Sequence, residues 1–295
     1  MIVIFPGQGV QKSGMGQSFL HLENVKKYIK IASDITNIDV EKLLTTIQDE
    51  ELSKTENSQI AIFTLTYSLM QEWLAKNGKD KIKMLAGHSL GQYTALAVAG
   101  VLTFENTCML IQARSQAMAK VNGKMLALLG ADFVLANTIA SMASKIDARE
   151  TQCCFVANHN SSSQIVLSGS ANAIERAVEL IGNFGKKAIV LPTSGPFHSP
   201  YMHNACNEIL SVVEKLEFND AQIPVISNVI AKEQTDANLW KSEVAIHMKC
   251  PVRWYESLEY AKNNGCHEVV EVGPSAYLTN MAKRDGYNIR YEEVK

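Results

Sequence analysis

The feature that most constrains this chain is the hexapeptide Ala-Gly-His-Ser-Leu-Gly at residues 86–91, which follows a short apolar run and precedes a helical pattern. It matches Gly-x-Ser-x-Gly, in which the serine occupies a sharp, strained turn between a strand and a helix. The glycines are needed because side chains there would collide with neighbouring elements. The following helix would direct N–H groups and the positive end of its dipole toward the serine. The motif therefore predicts a nucleophilic Ser89 at one edge of a sheet.

Apolar segments of strand length alternate with segments of helical period along most of the chain. Residues 2–5 and 82–85 have the pattern of buried strands, and residues 58–76, 90–99 and 103–121 that of helices. Buried strands that alternate with helices are typical of a parallel sheet covered on both faces. The sequence thus predicts an α/β protein.

The pattern changes between residues 124 and 191, where the elements are shorter and their predicted order is β-α-β-β-α-β. This order is the ferredoxin-like plan. Strands and helices of the larger body return after residue 191. We therefore predict a large subdomain formed by residues 1–123 and 192–295, and a small subdomain, residues 124–191, inserted into it.

Composition excludes several classes of protein. A chain of 295 residues that is 46% hydrophobic buries a sizeable core, so it is not largely disordered. Its net charge of -2 gives no general attraction to nucleic acid or anionic membranes. The six cysteines lack the spacing of a zinc site or a disulfide framework, and the N-terminus lacks the pattern of a signal peptide. We expect a cytoplasmic monomer with no metal, no cofactor, and no nucleic-acid or membrane partner.

A serine nucleophile needs a base within hydrogen-bond reach. Among the seven histidines, His198 stands out because it lies in a Gly-Pro-Phe-His loop just before a predicted helix, where packing does not explain it. His159 and His203 remain alternatives, whereas His88 is expected to brace the turn beside Ser89. We expect ordinary packing or surface roles for His21, His247 and His267. No acidic third member is required, since a backbone carbonyl can accept from the histidine Nδ1–H.

Arg114 lies in the predicted helix 103–121, on the same face as Leu110, Ile111 and Met118. An arginine among core positions is costly unless it meets an anion. Two interpretations are open at this point. The side chain could extend to the surface with only its stem buried, or its planar fork could bind a substrate carboxylate through two N–H···O bonds.

Seven segments along the chain are considered together: FPGQGVQ, GHSLGQYTAL, RSQAM, NHNSSSQIVLSG, SGPFHS, PVRW and EVGP. In their order and approximate spacing they resemble one known family, the malonyl-CoA:acyl carrier protein transacylases. The similarity extends over residues 1–284. It implies an α/β-hydrolase-like large subdomain with a ferredoxin-like insert. It also implies that a malonyl group from malonyl-CoA is held on a serine and then passed to the phosphopantetheine thiol of an acyl carrier protein, in fatty acid or polyketide synthesis.

The resemblance assigns roles to matching positions. Ser89 would be the acylated nucleophile and His198 the base, and the backbone N–H groups of Gln8 and Leu90 would form the oxyanion hole. Arg114 would bind the malonyl carboxylate. The other substrate-binding residues would be Gln59, Asn160, Phe197 and, on the helix face of Arg114, Met118.

The carbonyl of Arg253, in the PVRW segment, is similar to the one that orients the histidine in the family. Phe197 resembles the residue found in malonyl-selective members, whereas members that accept methylmalonyl often have a smaller one. Three positions depart from the commonest pattern without being catalytic in the family: Val10, Gln92 and Ser115. These departures would affect fine tuning rather than activity.

Two other functions would use part of this pattern. A serine acyl hydrolase or thioesterase would need Ser89 and His198 but has little use for Arg114. A carrier-binding module without activity would not need the serine turn. Acyl carrier proteins are generally acidic, so docking calls for a local basic surface, for which the candidates are Lys186, Lys187, Lys283 and Arg284.

Overall fold

The structure is a computed structural model that describes residues 1–146, 151–282, 285–287 and 289–292. Its strands are β1 (Ile2–Phe5), β2 (Met84–Gly87), β3 (Lys124–Leu129), β4 (Lys145–Ile146), β5 (Thr151–Gln152), β6 (Cys154–Ser161), β7 (Gln164–Gly169), β8 (Lys187–Val190), β9 (Val225–Ile226), β10 (Glu233–Gln234), β11 (Val269–Glu271) and β12 (Ile289–Tyr291).

Its α-helices are α1 (Glu23–Thr36), α2 (Val40–Thr45), α3 (Asp49–Leu52), α4 (Thr55–Asn77), α5 (Leu90–Val98), α6 (Phe104–Ala119), α7 (Phe133–Ala143), α8 (Ala171–Asn183), α9 (His203–Lys215), α10 (Ala237–Ile246), α11 (Trp254–Asn263) and α12 (Tyr277–Ala282). Short 3₁₀ helices occupy Gln17–Phe19, Pro200–Met202 and His247–Lys249.

The larger sheet has the strand order β10-β9-β2-β1-β11-β12. Its neighbours pair in parallel except β10, which is antiparallel to β9. The carboxyl ends of the parallel strands therefore lie at one edge, which is where open α/β sheets place their ligand sites. The loops after β1, β2 and β9 all leave the sheet at this edge.

Both faces of this sheet are buried. Val3, Phe5 and Leu85 belong to the core formed with the helices α1, α4, α5, α6 and α9. Ile2 and Ile4 point to the opposite face and pack with residues of α11. Side chains alternate in this way because successive residues of a strand face opposite sides. The prediction of a parallel sheet covered on both faces is thereby confirmed.

The smaller sheet has the order β6-β7-β3-β8, with every neighbouring pair antiparallel. The helices α7 and α8 cover one of its faces and share its core. This is the ferredoxin-like arrangement that the order of elements predicts. The hairpin β4–β5 was not predicted, because strands of two residues are too short to show an alternating pattern. The residue limits of the two subdomains stay a prediction.

Strand β6 of the smaller sheet is also joined to the larger body. Asn158 forms an isolated bridge with Val252, and the backbone N–H of His159 donates to the carbonyl of Val252 at 2.9 Å. The N–H of Val252 in turn donates to the carbonyl of Ala157 at 2.8 Å. The segment just before α11 is therefore fixed against the small subdomain. Within the described residues, no helix is both long and apolar enough to span a membrane.

Candidate active site

Ser89 sits at the turn between β2 and α5, with φ 51° and ψ -105°. Residues other than glycine rarely adopt a positive φ, so the backbone at this turn is strained. A Cβ on Gly87 would lie 1.9 Å from the carbonyl carbon of Gly91, and one on Gly91 would lie 2.1 Å from the carbonyl oxygen of Phe5. Only glycine fits either position. The Gly-x-Ser-x-Gly pattern therefore exists because strand, turn and helix approach more closely than a Cβ allows.

His198 lies against this serine, with its Nε2 2.6 Å from Ser89 Oγ. Its other ring nitrogen, Nδ1, is 3.0 Å from the carbonyl oxygen of Cys250. A carbonyl can only accept, so Nδ1 carries the proton and Nε2 is free to accept from the serine hydroxyl. Burial, reinforced by the positive charge of Arg114, lowers the pKa of His198 to about 3. The imidazole is therefore neutral at physiological pH, as a general base must be.

The carbonyl that orients His198 is a backbone group, but the prediction that it belongs to Arg253 is wrong. Arg253 is the N-cap residue of α11, and its carbonyl accepts from the N–H of Ser257 at 3.0 Å and from the hydroxyl of the same residue at 2.8 Å. A helix directs the carbonyl of its N-cap along its own axis, into the first turn. The carbonyl of Cys250, three residues earlier, is the one that reaches the imidazole.

The two residues predicted for the oxyanion hole, Gln8 and Leu90, both line the cavity that contains Ser89. Leu90 is the first residue of α5, so its N–H has no acceptor within the helix. Gln8 follows Gly7, where a Cβ would lie 2.4 Å from the carbonyl oxygen of His88. In the described part of the chain, no hydrogen bond engages either N–H. Both donors are free for a ligand, and their joint role stays a prediction.

Arg114 lies on α6 and is 1% exposed, which rules out the surface interpretation. Its Nη1 donates to Gln59 Oε1 at 2.6 Å, its Nη2 lies 3.5 Å from Ser89 Oγ, and its guanidinium carbon lies 5.0 Å from the centre of the Tyr93 ring. Its Nε has no partner, and no carboxylate within the described residues pairs with the group. The site thus holds a buried cation beside the serine without an anion.

The other predicted substrate-binding residues surround the same cavity, whose volume is about 180 Å³. Asn160, Phe197 and Met118 line it. Gln59 is fully buried behind Arg114, where it accepts from the guanidinium. The Oδ1 of Asn160 is 2.8 Å from His88 Nε2, so His88 is held beside the turn, as predicted, rather than placed on the serine.

Sequence reasoning missed two buried side chains behind the site, Tyr93 and His247. Nδ1 of His247 is 3.3 Å from the Tyr93 hydroxyl, and its ring centre is 5.3 Å from that of His198. Burial lowers the pKa of His247 well below its usual value. The pattern around residue 247 gives no sign of this, because its partner is 154 residues away.

Sequence reasoning also missed Asn228, whose side-chain Oδ1 accepts from the backbone N–H of Ser89 at 2.8 Å. A signal existed in this case. Asn228 follows the buried strand β9, and polar residues just after buried parallel strands lie at the edge where ligands bind.

Two of the four basic surface candidates, Lys186 and Lys187, are exposed just before and at the start of the edge strand β8. Lys283 and Arg284 lie outside the described residues. Nowhere in the ranges that the structure describes do three His, Cys, Asp or Glu side chains come together in a way that could hold a metal ion.

The sequence is similar to those of known acyltransferases. The family model described as acyl transferase domain matches residues 2–293. The malonyl CoA-acyl carrier protein transacylase of Bacillus subtilis is 35% identical over 283 residues, which cover 95% of this chain and 70% of that protein.

Two solved structures are similar over almost the whole chain. The malonyl CoA-acyl carrier protein transacylase of Coxiella burnetii superposes with a TM-score of 0.92 at 30% identity, over 99% of this chain and 93% of that one. A malonyl-transacylase in complex with a type II polyketide synthase acyl carrier protein superposes with a TM-score of 0.91 at 30% identity, over 98% and 94%.

Proposed function

Since the chain belongs to the acyl transferase family, and within it to the malonyl-CoA:acyl carrier protein transacylases, we propose that it transfers a malonyl group from malonyl-CoA to the phosphopantetheine thiol of an acyl carrier protein. The acyl group is held on Ser89 between the two half-reactions. The resemblance of the sequence motifs, the family match and the geometry of the cavity support the same reaction.

The observation that carries the proposal is the unpaired guanidinium of Arg114 beside the nucleophile. A buried cation is costly unless an anion pairs with it. The free carboxylate of a malonyl thioester supplies that anion, and a neutral acyl group does not. Nη2 of Arg114 lies 3.5 Å from Ser89 Oγ, a separation suited to an acyl chain as short as malonyl. A general acyl hydrolase has no use for such a group.

In the first half-reaction, Ser89 Oγ attacks the thioester carbonyl while its proton passes to Nε2 of His198. A C–O bond forms and a tetrahedral oxyanion develops. The N–H groups of Gln8 and Leu90 stabilise this charge, and each such donor is worth about 3 kcal/mol in the transition state. The C–S bond then breaks, and the coenzyme A thiolate leaves with the proton held by His198. The product is malonyl-Ser89.

In the second half-reaction, the phosphopantetheine thiol of the carrier occupies the place of coenzyme A. It gives its proton to His198 Nε2 and attacks the carbonyl of malonyl-Ser89. When the intermediate collapses, the C–O bond breaks and Ser89 recovers a proton from His198. The carboxylate stays on Arg114 through both steps, so the carbonyl stays in register with the two N–H donors.

The carrier is proposed to dock near the edge strand β8. Lys186 and Lys187 are exposed there, and Leu191, Pro192 and Thr193, which follow the strand, line the cavity of Ser89. An acidic carrier would be attracted to this edge, mainly through its rate of association. Reversing both charges should raise the KM for the carrier and leave that for malonyl-CoA unchanged, in steady-state assays at low salt. An unchanged carrier KM would move docking elsewhere.

The proposed chemistry needs no metal or cofactor beyond its two substrates. We also propose a cytoplasmic monomer. One chain supplies every group that the proposed mechanism uses, from Ser89 and His198 to Arg114. The six cysteines are free thiols, which suits a reducing compartment. Sedimentation of the purified protein would test the monomer.

Intact-mass spectrometry tests the proposed function directly. Mixing the protein with malonyl-CoA should add the mass of one malonyl group, and the addition should disappear in Ser89→Ala. Adding a phosphopantetheinylated carrier should move the group to the carrier. Release of free malonate in place of transfer would favour the hydrolase. The absence of any adduct on folded protein would contradict the proposal. Fatty acid and polyketide carriers, assayed in parallel, would identify the pathway.

A further inference from the structure

Asn228 brackets the turn that carries the nucleophile. Its Oδ1 accepts from the N–H of Ser89, and its Nδ2 donates to the carbonyl of Gly87, both at 2.8 Å. These two backbone groups lie on either side of His88, where the chain leaves the sheet. Ile226 pairs with Ala86 in the last register of β9 and β2. The side-chain amide of Asn228 therefore continues the ladder where a regular strand partner no longer can.

Asn228 is itself fixed on every side. It is fully buried, its backbone N–H donates to Gln92 Oε1 at 2.6 Å, and its carbonyl accepts from the N–H of Arg253 at 2.9 Å. All of its strong hydrogen-bonding groups have protein partners. A fully satisfied buried polar network is rigid and specifies one geometry.

The network continues to Glu243 on α10. Its Oε1 accepts from Gln92 Nε2 at 3.0 Å, and its Oε2 accepts from the hydroxyl of Ser227 at 2.6 Å. Gln92 lies on α5, three residues after Ser89, and Ser227 directly precedes Asn228. One buried carboxylate thus ties together the helix that begins at the nucleophile and the loop that carries Asn228.

The same network reaches the base. Arg253, which donates to the Asn228 carbonyl, lies three residues after Cys250, whose carbonyl holds His198. Glu243 lies on the helix that leads into the same segment. Asn228 is therefore linked on one side to the serine turn and on the other to the segment that orients the imidazole.

We propose that Asn228, held by Gln92 and Glu243, is the positioning residue that sets Ser89 Oγ against His198 Nε2. The proposal rests on the proposed function, because the positioning matters only if Ser89 is acylated. It also gives a role to the amide at position 92. A second carboxylate there would face that of Glu243, and two carboxylates so close cannot both ionise. Gln92 pairs with Glu243 without that conflict.

The test compares Asn228→Leu, Asn228→Asp and the wild type by single-turnover formation of malonyl-Ser89 at saturating malonyl-CoA. Asn228→Leu removes both side-chain bonds. A displacement of about 1 Å costs about 10²-fold in rate, and we expect a loss of that order. The KM should stay near that of the wild type, since Arg114 is untouched. The control is Ile29→Ala on α1, a buried residue that neither lines the cavity of Ser89 nor belongs to the network around Asn228. It should lower Tm without slowing acylation.

Asn228→Asp supplies a readout that a purely structural role would not move. When protonated, the carboxyl can still donate to the Gly87 carbonyl and accept from the Ser89 N–H. When ionised, it repels that carbonyl. Acylation relative to the wild type should therefore be near normal at low pH and fall as pH rises. Asn228→Asp is nearly isosteric, so it decides the question even where Asn228→Leu does not fold.

The outcomes separate the two proposals. If the wild type forms no adduct, the proposed function fails. If the wild type forms it and both Asn228 variants acylate at the wild-type rate at every pH, only the positioning role is overturned. A rate loss in Ile29→Ala equal to that in Asn228→Leu would overturn it as well, because the effect would then be one of general stability.

Discussion

Truncation of Arg114 tests the charge on which the substrate assignment depends. In Arg114→Ala the malonyl carboxylate loses a buried charged fork that is 1% exposed and has one free nitrogen, Nε. Removing one partner of a buried, hydrogen-bonded charge pair costs about 2–5 kcal/mol. We expect the lower part of that range, because water can enter the emptied space. The malonyl acylation rate should fall about 10²-fold, which corresponds to about 2.7 kcal/mol.

Acetyl transfer should respond in the opposite direction. In the wild type, an acetyl group desolvates the guanidinium without neutralising it, and that penalty disappears with the side chain. The ratio of malonyl to acetyl acylation should therefore fall by more than the malonyl rate does. Arg114→Lys keeps the charge but loses the planar fork that reaches Gln59, so it should give an intermediate ratio.

The assay is quenched-flow acylation of Ser89 with malonyl-CoA or acetyl-CoA, read by intact mass. Arg176→Ala is the matched control. Arg176 is half-buried on α8 and binds the carbonyl of Ala143 and the side chain of Gln152, away from the cavity. It should change neither rate by much. If Arg114→Ala keeps the wild-type ratio of malonyl to acetyl, Arg114 does not select the acyl group and the reasoning from its burial is refuted.

Three further predictions concern the base, the pH dependence of stability and the turn. The lowered pKa of His198, about 3, means that the acylation rate should stay level from pH 8 to well below 6.5. A midpoint near 6.5 would show an ordinary, solvated histidine. Because His198 and His247 are neutral when folded, the unfolded chain binds more protons than the folded one below pH 6.5. The free energy of unfolding should therefore decrease as the pH is lowered below 6.5. In His198→Gln the slope of this decrease should be smaller, by up to about 1.4 kcal/mol per pH unit. Gly91→Ala should lower Tm sharply, since its Cβ would lie 2.1 Å from the Phe5 oxygen, whereas Gly182→Ala, with nothing within 4 Å, should be tolerated. An unchanged Tm in Gly91→Ala would argue against the close packing of the turn.

Local chemistry made the serine turn predictable. The strand, the glycines, the serine and the helix lie within one short segment. The motif in that segment therefore indicates the steric need for Gly87 and Gly91 without any knowledge of distant residues. The parallel sheet was predictable for a similar reason, because strands buried on both faces have nearly continuous apolar sequences. The edge strands β10 and β12 were not, since neither Glu233–Gln234 nor Ile289–Tyr291 forms a continuous apolar run.

Long-range partners could not be predicted in the same way. Asn228 lies 139 residues from Ser89, and Cys250 lies 52 residues from His198. The sequence indicates that a backbone carbonyl suffices for the imidazole, but not which one. That choice depends on where α11 begins, because the carbonyl of Arg253 is used by the first turn of the helix. A displacement of the helix start by a few residues would change the answer.

Backbone strain is concentrated at the site. Within the described ranges, the non-glycine residues with positive φ are Asn37, Ser89, His198 and Ala231. Asn37 ends α1 in the left-handed conformation common at helix ends. Ala231 closes the turn that begins at Ser227, so three of the four lie in or beside the network around the nucleophile. Such strain costs about 1–3 kcal/mol per residue and persists only where the surroundings over-determine it.

This strain makes a last prediction possible, which separates geometry from chemistry. Ser89→Ala and Ser89→Gly both remove the hydroxyl, and neither should form a malonyl adduct. Only glycine adopts φ 51° without penalty, so Ser89→Gly should have the higher free energy of unfolding, by about 1 kcal/mol or more. Denaturant titration of the two variants measures the difference. Equal stabilities would mean that the turn is not strained in solution. Ser89 would then adopt this conformation without support from Asn228 or the flanking glycines.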